Sequence, residues 1–117
     1  MKKDFFKIHK LKMPFPKENL YYPQISVWLQ ERGFDFQRIE GVKTVPDYII
    51  WDNDNVIFME VKYYRGKEVL SDLTNYHIYH ELKWQDGQLG FRDRCLCKND
   101  KHYVLLIINC RGEFILV

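Results

Sequence analysis

The chain has 117 residues, of which 46% are hydrophobic and 29% charged, and its net charge is +2. This is the make-up of one globular domain with material for a single core; it excludes a polycation and a low-complexity chain. The longest apolar run, Tyr103 to Ile108, is far too short to span a bilayer.

The N-terminal stretch MKKDFFKIHKLK has no uninterrupted apolar segment of the secretory kind. Cys95, Cys97 and Cys110 are an odd set without a disulfide framework. Together these features predict a reducing, intracellular and cytoplasmic setting with no membrane partner. Residues 1–17 read as a basic arm: Lys2, Lys3, Lys7, Lys10, Lys12 and Lys17 stand against Asp4, and Pro14 and Pro16 interrupt regular structure. Such an arm suits phosphates or is simply a solvated tail. Residues 18–117 read as one domain.

Tyr21, Ile25, Trp28 and Leu29 recur at helical spacing, with Asn19 as a cap, Pro23 in the first turn and Gly33 to end the helix. Phe34 to Glu40 alternates like a strand. Asp47 to Trp51 and Val56 to Tyr64 are apolar runs separated by the turn-forming stretch 52–55, which predicts a β-hairpin. Lys67 to Lys83 reads as irregular and then helical. Trp84 to Cys97 places Leu89, Arg92 and Leu96 on a helical stripe, against which Gly87 and Gly90 argue. Tyr103 to Asn109 reads as a buried strand and Glu113 to Val117 as a last one. The order predicts an α/β fold, a mixed sheet flanked by helices.

The hairpin carries the chemistry. A loop of two or of four residues sets Asp47 opposite Glu60, and alternation puts Lys62 on the face of Glu60. A three-residue loop breaks the alignment. Two facing carboxylates repel, and one of them lies within an apolar run, so compensation is required. Lys62 is one source and a divalent cation another, because hard cations prefer oxygen ligands. A metal held by Asp47, Glu60 and the backbone carbonyl of Val61 suits phosphodiester hydrolysis, with Lys62 orienting water or stabilising charge on phosphate. An exposed ion pair of Glu60 and Lys62 is the plainer alternative.

The stretch VPDYIIWDNDNVIFMEVK resembles motifs II and III of the PD-(D/E)XK nuclease superfamily: Pro46-Asp47, then Glu60-Val61-Lys62. ENLYYPQISVWLQERGF resembles that fold's first helix. The resemblance covers residues 18–109 and implies a restriction-endonuclease-like αβββαβ core. Its small size is similar to Holliday-junction resolvases of archaea, phages and viruses and to stand-alone VRR-NUC nucleases. It implies Mg²⁺ or Mn²⁺ on Asp47 and Glu60, a catalytic Lys62, and an acid on the first helix, for which Glu18 leads and Glu31 and Glu40 are rivals. Relatives also place a Gln on the later helix, which Gln88 or Gln85 matches. Lys10, Lys12, Gln88 and Arg92 are candidate nucleic-acid contacts.

The expected activity is metal-dependent endonuclease cleavage of branched or duplex DNA, with a homodimer and a phage or viral origin as further expectations. The alternatives are a restriction-like, repair or defence nuclease acting on other DNA or RNA, and a catalytically inactive nucleic-acid-binding module. His77, His80, Cys95, Cys97, His102 and Cys110 lack standard zinc spacing, and residues 52–55 lack the glycine and closing Glu of a calcium loop. Tyr63, Tyr64, Tyr76 and Tyr79 can stack on bases, but such residues are more often partly buried or on a rim.

Overall fold

The computed structural model describes residues 9–10, 21–40, 46–52, 55–96 and 102–117. In chain order its elements are β1 (His9–Lys10), α1 (Tyr22–Glu31), β2 (Asp35–Arg38), β3 (Tyr48–Asp52), β4 (Asn55–Tyr63), a 3₁₀ turn (Leu70–Asp72), α2 (Asn75–His80), α3 (Gln88–Leu96), β5 (His102–Ile108) and β6 (Glu113–Leu116). Among the described residues the strands form one six-stranded sheet in the order β1-β6-β5-β4-β3-β2. Only β4 and β5 run parallel there, and the crossover between them carries α2 and α3, as parallel neighbours require.

The sheet has a core on each face. On one, Ile25, Trp28 and Leu29 of α1 pack against Tyr48, Ile50, Ile57, Met59, Val61, Leu106 and Phe114. On the other, Ile78 of α2 and Cys95 of α3 pack with Tyr64, Leu70, Leu82, Tyr103, Leu105 and Ile107. Strand β5 is buried on both sides, which explains its unbroken apolar run.

Helix α1 begins beside Pro23 and stops where Gly33 adopts φ +77°, a left-handed conformation that favours glycine. The hairpin ladder runs from Tyr48↔Met59 to Asp52↔Asn55, in the register the sequence predicts. The last helix differs from expectation. Gly87 takes φ +86°, so the helix begins at Gln88 instead of Trp84. It turns Arg92 and Cys95 inward and leaves Leu96 exposed.

His9 and Lys10 pair with Phe114 and Glu113, so part of the segment read as an arm forms an edge of the sheet. The remainder of residues 1–17, with Lys12, lies outside the described residues, as do Asn19 and Cys97. Among the described residues, no helix is long and apolar enough to cross a membrane.

Candidate active site

Extending the hairpin register by one position sets Asp47 opposite Glu60. The carbonyl of Asp47 accepts from Ile39 N–H at 2.7 Å, so its backbone serves β2 rather than β4. Asp47 and Glu60 therefore occupy a non-hydrogen-bonded position, where cross-strand side chains approach most closely. One residue further on, Val61 N–H donates to Asp47 Oδ2 at 2.8 Å. That bond anchors the carboxylate by one oxygen and leaves Oδ1 as the atom to offer a cation. N–H and C=O of a strand residue face the same neighbour, so the Val61 carbonyl also points towards β3.

Glu60 and Lys62 share the face covered by α2 and α3, and they are 3% and 5% exposed. The exposed ion pair weighed from the sequence is therefore a buried one, with Lys62 Nζ 3.3 Å from Glu60 Oε1. Breaking such a pair from one side costs about 3–5 kcal/mol, because the remaining charge is left uncompensated. Two carboxylates against one ammonium leave the trio negative.

Gln88, the first residue of α3, joins them. Its Oε1 accepts from Lys62 Nζ at 2.8 Å and from Gln85 N–H at 2.8 Å. Both neighbours are donors, so the amide oxygen must face them and the NH₂ group must point the other way. Gln88, not Gln85, is thus the glutamine of the later helix that reaches Lys62. Trp84, which sequence reasoning missed, sets its ring 5.0 Å from Lys62 Nζ. Its indole N–H donates to the Ile78 carbonyl at 2.7 Å, satisfying one of the last carbonyls of α2. Nothing in local spacing marks Trp84, because it lies in an irregular connector.

Tyr103 was also missed. It sits beside Phe58 across the parallel ladder. Burial, followed by the charge of Glu60, pushes its phenol up, with Asp47 adding to the effect.

Of the candidate first-helix acids, Glu31 is exposed at the C-terminal end of α1. Glu40 pairs with Arg38, whose guanidinium lies over Tyr22. Both Tyr22 and its helix cover the face opposite Glu60 and Lys62. Glu18 lies outside the described residues. The N-terminus of α1 does lie at the Lys62 end of the sheet: Tyr21 donates to the Asn109 carbonyl at 2.9 Å, and its ring is 6.2 Å from that of Tyr63.

Lys10 is placed by its backbone alone. Arg92 is buried, and its Nη1 donates to Tyr79 Oη at 2.8 Å. Its guanidinium also lies 6.0 Å from the centre of the Tyr103 ring, so it serves the packing of α2, α3 and β5.

A second polar cluster lies beyond the end of β4. Ligand-type atoms of Glu68, His77 and Glu81 fall within 4.8 Å of one another. Tyr64, fully buried, holds its hydroxyl within hydrogen-bond reach of Glu68 and, at 3.1 Å, of Glu81, with one proton shared between the two acceptors. The Tyr64 bond holds the Glu68 carboxyl below the usual carboxylate range. Thr74 N–H donates to His77 Nδ1 at 3.0 Å, closing a capping box at the start of α2. With Nδ1 accepting, the ring proton sits on Nε2, which faces Glu68 at 4.0 Å. This geometry suits a hydrogen-bonded clasp better than a cation, which needs a lone pair on that nitrogen.

No family model matches the chain, and no curated protein or solved structure matches it either.

Proposed function

We propose that the protein is a metal-dependent endonuclease with a restriction-endonuclease-like core, cutting DNA phosphodiester bonds at Asp47, Glu60, Lys62 and Gln88. The observation that carries this reading is the convergence of four polar side chains, one from the residue before β3, two from β4 and one from α3, at one largely buried point. Structure alone gives little reason to bury Glu60 and Lys62 with a second, half-buried carboxylate facing them, since apolar replacements of a buried ion pair are as stable or more so. A hydrolytic site gives that reason.

The donor set fits a hard divalent cation. Asp47 Oδ1, the Glu60 carboxylate and the Val61 carbonyl are oxygen ligands suited to Mg²⁺ or Mn²⁺, and the net negative charge of the trio favours the ion. Once bound, the ion supplies the positive charge that polarises a phosphodiester for attack by water.

The side chains do the rest. An ammonium has three donors, of which Glu60 and Gln88 engage two, so Lys62 keeps one for water or a phosphate oxygen. The outward NH₂ of Gln88 is placed to donate to a second phosphate oxygen. Because these donors are held by packing before substrate arrives, little reorganisation accompanies charge development. Branched DNA is the favoured substrate, by the family resemblance alone.

A four-way junction, supercoiled plasmid and single-stranded RNA, incubated side by side with Mg²⁺ and with Mn²⁺, test this. Junction-selective cleavage is expected. Cleavage indifferent to branching would leave a nuclease of broader substrate, and binding without cleavage in either ion would leave a nucleic-acid-binding module.

A further inference from the structure

We propose that Trp84 is a positioning residue that holds the Lys62 ammonium in its working place; this deepens the nuclease reading and rests on it. Lysine carries its charge on a flexible stem, and rotamer entropy opposes fixing it. Glu60 and Gln88 supply two anchors, one from the same strand and one from α3. Left to those alone, the ammonium is drawn towards the stronger charge of Glu60.

The Trp84 ring, 5.0 Å from Nζ, supplies a third attraction that is not a hydrogen bond. Tryptophan is the best aromatic partner for a cation, and the contact strengthens where water is scarce, as it is beside a lysine 5% exposed. The ring also consumes none of the ammonium's donors, so the third N–H stays available for substrate.

The ring is itself fixed. Its N–H is bound to the Ile78 carbonyl of α2, and its backbone lies four residues before Gln88 in the connector between α2 and α3. Trp84 and Gln88 thus approach Lys62 from one continuous segment. The crossover between the parallel strands both covers the core and sets the lysine.

A double-mutant cycle on the full chain tests the proposal, with W84L, W84F, K62M and W84L/K62M assayed for metal-dependent cleavage. W84L is expected to lower kcat about tenfold with KM little changed, as a displaced catalytic group does. W84F, which keeps a π face but not the N–H, recovers most of that loss. In the K62M background, W84L costs no more than about a further twofold, because its effect passes through Lys62. Equal losses from W84L in both backgrounds, or no loss in either, would overturn the proposal.

Wild type, W84L, K62M and W84L/K62M are also unfolded in urea, which needs no activity. The proposal expects W84L to reduce the folding constant by a smaller factor in the K62M background than in wild type, and strict additivity contradicts it. A wild type that cuts nothing while the urea cycle shows coupling refutes the nuclease reading and with it the positioning of a catalytic lysine by Trp84, but not the contact itself.

Discussion

At the scale of single residues, the site balances repulsion against attraction. Asp47 and Glu60 face each other with like charge, which costs roughly 0.2–1 kcal/mol for a cross-strand pair. Asp47→Asn keeps an oxygen for the Val61 N–H and removes that repulsion. Without metal, the variant should therefore melt at or slightly above the wild-type temperature. It should nevertheless lose cleavage by about 100-fold or more, since a ligand of the ion that stabilises charge in the transition state has been weakened. Thermal unfolding by circular dichroism and a plasmid-nicking assay check the two halves, and a large drop in stability would show that Asp47 is structural.

Lys62→Met should behave oppositely. It leaves Glu60, 3% exposed, without its ammonium, and should cost about 3 kcal/mol of stability in urea unfolding. The double variant Glu60→Met/Lys62→Met removes both charges and should recover most of that loss. Failure of the double variant to recover would mean that Glu60 and Lys62 are each held by other partners more than by each other.

At the scale of elements, much of the molecule was legible in the sequence because the signals were periodic. Alternation and the turn-forming stretch at 52–55 predicted the β3–β4 hairpin with its register, and the register placed Asp47 beside Glu60 and Lys62. Helix α1 was legible from Ile25, Trp28 and Leu29 and from Gly33. The crossover was legible only in outline, as an irregular stretch turning helical before residue 83 and a helix over 84–97, but not in its bounds or its inward face. Its helices are short, α3 turns an arginine inward, and Gly87 delays its start, so no stripe of apolar residues marks it. For the same reason Trp84 escaped notice, and Gln88 could not be separated from Gln85. Which of the two reaches Lys62 depends on where α3 begins, a tertiary fact.

Gly33 offers a direct check on the element that seats α1. Its φ of +77° is strained for any side chain, although a Cβ there meets open space. Gly33→Ala should cost about 1–2 kcal/mol through backbone strain alone, measured by urea unfolding. An unchanged midpoint would mean that the helix ends in another conformation.

At the scale of the whole molecule, two cores clasp one sheet, and both are studded with buried phenols. Burial pushes the Tyr48, Tyr64 and Tyr103 hydroxyls above their ordinary value of 10.0; for Tyr64 the bonds to Glu68 and Glu81 add to it, and for Tyr103 the charge of Glu60 does. A group whose folded value is raised contributes stability that is fully present below its unfolded value and is lost as pH rises towards the folded one. Stability should therefore hold up to about pH 10 and fall above it, with some tyrosines ionising only as the chain unfolds. Tyrosinate absorbance, followed together with circular dichroism, checks this. All eight tyrosines titrating near pH 10 in the folded state would contradict it.

In the proposed site one cation is shared by a pair of acids on neighbouring strands. Titration of Mn²⁺ into the apo-protein, read by the loss of free-ion electron paramagnetic resonance signal, tests it most directly, with wild type compared to D47N/E60Q. Wild type is expected to take up the ion and the double variant not to, while both remain folded. Equal uptake by the two proteins, or none by wild type, would contradict it.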